Sequence, residues 1–234
     1  MKMENISMVV FDMAGTTVNE DNLVYKTLLK VINDAGFELN LEQVLELGAG
    51  KEKRQAIRSL IDNFYAEKNE DVISKIYEHF IVELTNAYKE EAILPQPNVI
   101  EVFFQLKQKG IITVLNTGYD RKTAQAIIDK LGWQEGIEFD GLVTASDVEH
   151  NRPDPDMIFF AMKRFNIKDS ESVIKVGDST IDILEGKNAG CGMSIGITTG
   201  AHSAEQLEKA NPDKVINDLA ELMIMLEKRE HSAY

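Results

Sequence analysis

The sequence predicts an α/β fold in which a parallel β-sheet, covered by helices on both faces, carries an inserted helical domain. From residue 93 onward, short apolar runs alternate with stretches of helical periodicity. That alternation is typical of parallel strands joined by crossover helices. Residues 18–92 break it, because successive helical patterns follow one another there without a strand between them. The break predicts a helical insertion after the first strand.

The predicted core begins with the apolar run that ends at Phe11, directly before Asp12. Continuous apolar runs of this length are typical of strands buried on both faces of a parallel sheet. We predict strands at residues 7–11, 111–115, 141–144, 173–176 and 193–197. We predict core helices at residues 99–109, 121–131 and 155–165, and a C-terminal packing helix at residues 218–230.

The insertion is predicted to contain amphipathic helices at residues 23–35, 41–47, 53–65 and 71–88. A return linker follows at residues 94–97, because its two prolines cannot continue a helix. The predicted core domain therefore comprises residues 1–17 and 93–234, and the predicted helical cap domain comprises residues 18–92. Glu20 and Asp21 lie near the hinge between them, where we expect both side chains to be solvated.

Composition excludes several classes of partner. The formal charge of −14 argues against nucleic acid, so a small phosphate ligand needs a local cationic pocket. The single cysteine, Cys191, rules out an intramolecular disulfide framework. We found no long apolar run and no signal-peptide pattern, which predicts a cytoplasmic protein without a membrane partner. An exposed apolar face on a cap helix could support a homodimer.

Chemically capable side chains follow four of the predicted strands. Asp12, Thr117 and Asp178 come directly after or within two residues of three strands, and Arg152 lies in the loop after another. Asp182 stands one helical turn beyond Asp178. Because the carboxyl ends of parallel strands share one edge of the sheet, we expect these residues to converge there.

Phosphoryl transfer explains this set of residues. Asp12 and Asp178, with the backbone carbonyl of Ala14, are oxygen ligands suited to Mg²⁺. The cation would screen the repulsion between Asp12 and an anionic phosphoryl group, so that Asp12 could attack phosphorus and form an aspartyl-phosphate. Thr117 and the amide of Gly118 can donate to phosphoryl oxygens.

The remaining two charged residues of the set support the same chemistry. Arg152 offers a planar cationic fork for phosphoryl oxygens. Asp182 could hold either the waters of the metal or the Arg152 side chain. Taken singly, an aspartate or threonine after a strand is more often a helix cap, and an arginine a solvated charge. In this order, each after a strand, they favour a phosphoryl-transfer site over separate structural roles.

The order Asp-x-x-Gly-Thr, Thr-Gly, a basic residue before proline and Gly-Asp-x-x-x-Asp resembles the haloacid dehalogenase (HAD) superfamily. The resemblance implies a Rossmann-like core, an aspartate nucleophile, Mg²⁺ and a cap domain in place of the helical insertion. The chain is most similar to the phosphonatases of that superfamily. It shares with them Asp-x-Ala-Gly-Thr-Thr, Thr117-Gly118-Tyr119, an arginine at position 152 and Lys175-Val176-Gly177-Asp178.

Ala14 separates this chain from the ordinary phosphatases that it resembles. Those enzymes carry a second aspartate at this position, which protonates the leaving alkoxide. Alanine cannot supply that proton. Cleavage of the P–C bond of an α-formyl phosphonate does not require it, because a lysine imine delocalises the leaving carbanion as an enamine. The resemblance to phosphonatases implies such a lysine in the cap.

The stretch Gly50-Lys51-Glu52-Lys53-Arg54 supplies the candidates. Phosphonatases place their lysine three residues after a glycine, and Gly50 to Lys53 fits that spacing in register with the following helix. Lys51 lies three residues after Gly48 but requires a shift of that helix. We therefore prefer Lys53, with Lys51 and Arg54 as substrate-binding cations. Clustering of these cations is expected to lower the pKa of the amine.

Two positions depart from the phosphonatase pattern, and they leave the substrate open. Ala56 replaces a histidine three residues beyond the lysine, and Ala49 replaces the methionine before the glycine. Three functions remain: a phosphonatase acting on phosphonoacetaldehyde or a similar small phosphonate, a phosphomonoesterase for a small metabolite, and a non-catalytic phosphometabolite-binding protein. The intact Asp12 argues against the third, because binding alone does not need the nucleophile.

Overall fold

A computed structural model describes residues 6–65 and 70–230, with side chains as far as residue 227. The outer ends of the predicted core domain, residues 1–5 and 231–234, lie outside the described residues, as do residues 66–69 of the predicted cap. Strands in the described part are β1 Met8–Asp12, β2 Val18–Asn19, β3 Leu94–Pro95, β4 Ile112–Thr117, β5 Gly141–Thr144, β6 Val173–Gly177, β7 Met193–Ile197 and β8 Lys214–Ile216.

The α-helices of the same part of the chain fall into two groups. The first group, in the insertion, comprises α1 Leu23–Asp34, α2 Leu41–Gly48, α3 Lys53–Phe64 and α4 Glu70–Glu90. The second group comprises α5 Val99–Gln108, α6 Arg121–Leu131, α7 Asp156–Arg164, α8 Thr180–Asn188, α9 Ala204–Glu208 and α10 Ala220–Glu230. In the described residues, no helix combines the length and the apolar character needed to span a bilayer.

Six strands form one parallel sheet in the order β5-β4-β1-β6-β7-β8. The predicted α/β fold with a parallel sheet is thereby confirmed, and all five predicted strands lie in this sheet. The edge strand β8 was not predicted. It has three residues, of which only Ile216 is fully buried, so its sequence carries little of the apolar signal of a central strand.

Strand β1 lies at the centre of the sheet and is buried along its whole length. Its side chains alternate between the two faces, as the period of a strand requires. Val9 and Phe11 join the larger apolar core, whereas Met8 and Val10 join a second core beneath α7. Burial on both faces explains why β1 is a continuous apolar run up to its first polar residue, the terminal Asp12.

The helices α1–α4 pack on one another between the two short strands β2 and β3. Val18 and Asn19 pair with Pro95 and Leu94 in an antiparallel ladder, so the chain leaves and re-enters the α/β part at adjacent points. Apolar side chains of this group, such as Leu28 and Leu60, are fully buried in the larger core. The domain boundaries at residues 18 and 93 remain our prediction, and we refer to α1–α4 as the cap.

Candidate active site

Three carboxylates meet at the carboxyl edge of the sheet. Asp12 ends β1, Asp178 directly follows the neighbouring strand β6, and Asp182 lies in the first turn of α8. Each offers an oxygen, and these oxygens lie within 4.8 Å of one another. Burial, reinforced by the neighbouring carboxylates, raises the pKa of both Asp12 and Asp178. Three carboxyl groups that repel one another when ionised thus lie where the sequence predicts a cation.

Arg152 is fully buried beside this group. Its Nη1 lies 2.7 Å from Asp12 Oδ1 and 2.9 Å from Asp182 Oδ1, and its Nη2 donates to the carbonyl of Asn116 at 2.8 Å. Burial alone would lower the pKa of the guanidinium, but Asp182, Glu185 and Asp12 outweigh that effect and raise it. Arg152 therefore holds a permanent positive charge against one oxygen of Asp12.

A second buried cation, Lys175, was not predicted as part of the site. Its Nζ lies 3.0 Å from Asp182 and 3.0 Å from Glu185, and it donates to the Asn116 side chain. Burial would raise the pKa of Asp182, yet Arg152 and Lys175 outweigh it and hold that pKa below its usual range. A charged residue within the otherwise apolar strand β6 was the signal that could have revealed Lys175.

We call Asp12, Asp178, Asp182, Glu185, Arg152 and Lys175 the sheet-edge cluster. With all six groups ionised, four carboxylates face two cations, and the formal charge of the cluster is −2. In the described residues, no lysine or arginine forms an ion pair with Asp178; its Oδ2 accepts the amide of Ala201 at 2.6 Å. An all-oxygen site with this excess of negative charge fits Mg²⁺. Buried Ala14 lies two residues beyond Asp12, in the turn that follows β1.

The end of β4 brings Thr117 and the following Gly118 to the same edge, because Asn116 pairs with Asp12 in the sheet. Thr117 is buried and its Oγ1 accepts the amide of Tyr119 at 3.2 Å. A β-carbon at Gly118 would stand 2.6 Å from the backbone oxygen of Lys51. Only glycine therefore permits this close approach of the strand end to the cap.

Residues 49–52, which we call the cap loop, connect α2 to α3 and reach the sheet-edge cluster. The carbonyl of Gly50 accepts a hydrogen bond from Arg152 at 3.3 Å, and the Gly50 amide donates to the Tyr25 hydroxyl at 3.1 Å. A β-carbon at Gly50 would collide with the side chain of Ser179. The cap loop thus closes directly over the carboxyl edge of the sheet.

Lys53 begins α3 and is buried, with 6% of its surface exposed. Its Nζ donates to the carbonyl of Lys51 at 3.0 Å and lies 5.4 and 5.0 Å from the ring centroids of Tyr25 and Tyr119. Burial lowers the pKa of Lys53, and Arg152 lowers it further, against the opposing influence of Asp12. The lowered pKa was expected, but its main cause is desolvation rather than clustering of the cap cations.

The structure directs the other two cap cations elsewhere. The Nζ of Lys51 donates to Ser59 at 3.0 Å, so its side chain follows α3. Arg54 donates to Ser74 at 2.6 Å, and its side chain is 43% exposed beside α4. These contacts hold both side chains against α3 and α4, because successive positions near a helix start point in different directions. The role of Lys51 and Arg54 as substrate-binding cations stays a prediction. Lys51 contributes its backbone carbonyl to the site.

Glu20 corrects another expectation. We expected Glu20 and Asp21 to be solvated, and Asp21 is indeed exposed, but Glu20 is buried. Its Oε2 accepts the Tyr88 hydroxyl at 2.5 Å and the Val24 amide at 3.1 Å. Burial raises the pKa of Glu20 to about 7. Tyr88 comes from the far end of the insertion, so no local sequence pattern could have revealed this contact.

The parallel sheet, the acidic strand ends and the buried cations together define a hydrolase with its site beneath a helical cap. A family model described as haloacid dehalogenase-like hydrolase matches residues 9–197. The chain therefore belongs to the haloacid dehalogenase-like hydrolase family.

Relatives and solved structures agree with this assignment. The chain is 29% identical to phosphonoacetaldehyde hydrolase from Latilactobacillus sakei, covering 97% of each protein. It is 26% identical to the probable phosphatase IndB of Dickeya dadantii, covering 92% of this chain and 91% of that protein. It also spans 35% of a longer relative from Clostridioides difficile, a bifunctional phosphonoacetaldehyde hydrolase/aminoethylphosphonate transaminase to which it is 30% identical.

Among solved structures, the phosphonoacetaldehyde hydrolase-like protein from Oleispira antarctica superimposes with a TM-score of 0.84. The identity is 22%, and the match covers 98% of this chain and 94% of that one. At this identity the likeness establishes the fold alone.

Proposed function

We propose that the protein is a Mg²⁺-dependent phosphonatase that cleaves the C–P bond of phosphonoacetaldehyde or a closely similar small phosphonate. The observation that carries the proposal is that Lys53 and Ala14 occur together in this protein. A buried lysine of the cap, whose pKa is lowered, lies over the ring of Tyr119 beside the end of β4, while the position of a general acid is an alanine. Together they favour a leaving group that needs an imine rather than a proton.

Lys53 prepares the bond for cleavage in this proposal. Its neutral amine adds to the aldehyde, and loss of water gives an imine. When the C–P bond breaks, its electron pair passes to the imine carbon–nitrogen system and forms an enamine. Burial supports this role, because desolvation favours the neutral amine that addition requires. Protonation of the enamine and hydrolysis of the imine then release an aldehyde and the free lysine.

Asp12 accepts the phosphoryl group. One of its oxygens attacks phosphorus as the C–P bond breaks, and water then hydrolyses the resulting aspartyl-phosphate to free phosphate. Arg152, Thr117 and the Gly118 amide bind the phosphoryl oxygens, while Asp182 holds the guanidinium of Arg152 in place at 2.9 Å. Lys175 balances the charge of Asp182 without contacting substrate. Water exclusion by the cap loop strengthens these electrostatic interactions.

Asp12, Asp178 and the carbonyl of Ala14 would hold Mg²⁺. The cation would screen the negative charges of Asp12 and the phosphoryl group from each other. Calorimetric titration with MgCl₂ tests this assignment without reference to turnover. Asp178→Asn is expected to weaken binding at least about tenfold, since it removes one of two carboxylate ligands. Asp62→Asn, on the exposed face of α3, is the matched control. Equal Mg²⁺ affinity in both variants would contradict the site.

Phosphomonoester hydrolysis is the second candidate, favoured by the relative named as a probable phosphatase. The two functions differ in what they require of Lys53 and position 14. An esterase needs a proton for its leaving alkoxide and no imine. Ala14→Asp should therefore raise the rate of ester hydrolysis if esters are the natural substrates. It should not raise the rate of C–P cleavage.

Release of inorganic phosphate from phosphonoacetaldehyde and from a panel of phosphate esters, measured side by side, tests the proposal. We expect phosphonoacetaldehyde to be the better substrate, and borohydride added with it to inactivate the enzyme by reducing an adduct on Lys53. Lys53→Arg keeps the charge but cannot form an imine, so C–P cleavage should fall at least about 10³-fold. A borohydride-insensitive enzyme that hydrolyses esters and tolerates Lys53→Arg would contradict the phosphonatase proposal.

A further inference from the structure

A chain of hydrogen bonds runs from Glu20 toward Lys53, and the chemistry proposed above leaves it without a role. Glu20 lies between β2 and α1, at the point where the chain enters the cap. Its Oε2 accepts the Tyr88 hydroxyl at 2.5 Å, and the Tyr88 and Tyr119 hydroxyls lie 2.6 Å apart. The ring of Tyr119 is the one over which Lys53 Nζ lies at 5.0 Å. This chain of hydrogen bonds therefore extends from the carboxyl group of Glu20 at the hinge toward Lys53, the proposed imine lysine.

Every member of this chain is buried. Glu20, Lys53 and the two tyrosines have between 2% and 7% of their surface exposed. Burial raises the pKa of both phenols well above their usual value, so the hydroxyls are neutral and each can accept one proton while donating another. Four segments of the polypeptide contribute: the hinge, the start of α3, the end of α4 and the loop after β4. Apolar side chains alone could have packed these segments together without the cost of burying a carboxyl group.

We propose that Glu20 is a positioning residue that exchanges the imine proton with Lys53 through Tyr88 and Tyr119; this inference rests on the proposed phosphonatase function. Before addition, an N–H bond of the Lys53 ammonium breaks and its electron pair stays on nitrogen. The proton binds the Tyr119 oxygen, the Tyr119 proton moves to Tyr88, and the Tyr88 proton binds Glu20. The ammonium and carboxylate become an amine and a carboxylic acid without any change in net charge.

The same proton returns when water is lost. Addition of the amine to the aldehyde gives a carbinolamine whose hydroxyl must leave as water. Glu20 gives up its proton along the reverse path, Tyr119 protonates that hydroxyl, and the C–O bond breaks to leave the iminium and the Glu20 carboxylate. The hydroxyl of Tyr119 serves both steps because Tyr119 directly follows Gly118, at the carboxyl edge of the sheet. Rotation of the flexible Lys53 side chain toward that hydroxyl completes the path.

The surroundings bring the proton affinities of Glu20 and Lys53 closer together. In water a lysine holds its proton far more tightly than a glutamate does. Here burial raises the pKa of Glu20 to about 7 and lowers that of Lys53, which brings their proton affinities together. The titratable groups that face Glu20 are Tyr88 of α4, Lys53 of α3, Asp12 of β1, and the phenols Tyr25 and Tyr119.

Glu20→Gln separates proton exchange from packing, because glutamine has the shape and acceptor oxygen of glutamate but cannot take up the proton. Two rates at Lys53 are followed by peptide mass spectrometry. One is reductive trapping with phosphonoacetaldehyde and borohydride, which requires loss of water. The other is acetylation by acetic anhydride, which requires only an accessible neutral amine. Asp21→Asn is the matched control, since the Asp21 side chain is 92% exposed next to Glu20.

We expect Glu20→Gln to slow trapping about 10- to 100-fold, as for loss of a general acid. Acetylation should not slow, because the Glu20 carboxylate raises the pKa of Lys53 and its loss leaves the neutral amine at least as abundant. Tyr88→Phe should likewise slow trapping without slowing acetylation. The double variant Glu20→Gln/Tyr88→Phe should trap no more slowly than either single variant, since both interrupt the same path. Asp21→Asn should match the parent protein. Glu20→Asp should restore part of the trapping rate.

Trapping of Glu20→Gln and Tyr88→Phe at the parent rate would overturn the inference and leave the phosphonatase proposal intact. Equal losses of trapping and acetylation would overturn it in favour of a structural role for Glu20. Absence of any Lys53 adduct in the parent protein would overturn the phosphonatase proposal and this inference with it. Circular dichroism identifies a variant that has failed to fold, in which case Tyr88→Phe alone carries the test.

Discussion

In the sheet-edge cluster, Arg152 and Lys175 each lie within 3.0 Å of at least two carboxylates, whereas Lys53 of the cap forms no ion pair within residues 6–65 and 70–230. Lys53 faces a backbone carbonyl and two aromatic rings instead. Paired buried cations keep their charge, and an unpaired buried amine tends to lose it. Under the proposed function, the comparison separates a part of the site that holds the phosphoryl group and a cation from a part suited to nucleophilic nitrogen chemistry.

The two regions also differ in how the sequence builds them. Strand ends fix the cluster, because parallel neighbours in a sheet must deliver their terminal residues to one edge. The cap loop is positioned by contacts between the cap and the sheet edge, among them Gly50 with Ser179 and Lys51 with Gly118. In the proposed mechanism, phosphoryl transfer therefore depends on the sheet, and the choice of leaving group depends on a loop whose position is set by the cap.

Asp12→Asn has the largest expected effect and tests whether the two regions have separate roles. If the sheet edge carries phosphoryl transfer for every substrate, the variant should lose at least about 10³-fold in turnover of both phosphonates and esters, since an amide is a poor nucleophile. Phosphate release measures the effect, and circular dichroism checks the fold. Asp62→Asn should retain full activity. A folded Asp12→Asn protein that keeps substantial turnover of either substrate class would contradict the aspartyl-phosphate mechanism.

Lys175→Met tests whether the paired cations are structural. Removing this charge leaves Asp182 and Glu185 buried with only Arg152 to balance them. Breaking such a buried network by deleting one partner should lower the free energy of unfolding by about 3–5 kcal/mol. Denaturant titration measures the loss. Lys163→Met, at an exposed position of α7, should change stability by less than about 0.5 kcal/mol. Similar values for the two variants would show that Lys175 is not needed for charge balance.

Sequence alone predicted the parallel sheet and the convergence of Asp12, Asp178, Asp182 and Arg152, because strand ends obey a simple rule. It selected Lys53 through the resemblance to phosphonatases. It did not reveal the contacts of Lys51 with Ser59 and of Arg54 with Ser74, since the direction of a side chain near a helix start depends on what packs there. Glu20 was expected in solvent because its buried contacts come from Tyr88, far away in sequence. Prediction was thus reliable where local pattern and sheet geometry decide, and weak where long-range packing does.

Gly118→Ala tests the contact between the two regions, where the end of β4 meets the cap loop. The added β-carbon would stand 2.6 Å from the backbone oxygen of Lys51, so the cap loop must move. Displacement of a nucleophile by about 1 Å can cost 10²-fold in rate, and we expect turnover to fall about 10- to 100-fold. Gly48→Ala is the matched control, since its β-carbon would meet neighbours only at 3.7 Å.

The Gly118 variant should also separate the two halves of the chemistry. Borohydride trapping at Lys53 should slow along with turnover, while Mg²⁺ binding at the strand ends, measured by calorimetry, should stay within a factor of about two to three. Loss of Mg²⁺ affinity without loss of trapping would mean that the substitution disturbs the sheet edge and not the cap loop.

The smallest expected effect concerns His202, which joins the core to the cap by hydrogen bonds. Its Nδ1 accepts the Thr180 amide at 3.1 Å, so Nε2 carries the proton and donates to the carbonyl of Leu45 in α2 at 3.1 Å. Burial lowers the pKa of His202. Only the neutral ring can make both bonds, because a protonated Nδ1 would have no lone pair for the Thr180 amide.

The sign of the pH effect follows from that lowered pKa. The unfolded histidine titrates near about 6.5 and the folded one below it, so the unfolded state binds more protons. The stabilisation is complete above the unfolded pKa and is lost as pH falls through the folded one.

Removal of one hydrogen bond is worth about 1 kcal/mol. We therefore expect the stability difference between the parent protein and His202→Phe to shrink by about that much between pH 8 and pH 5 in denaturant titrations. A constant difference for His202→Phe would mean that the bridge from core to cap tolerates a charged imidazole, and that closure of the cap does not depend on its neutral form.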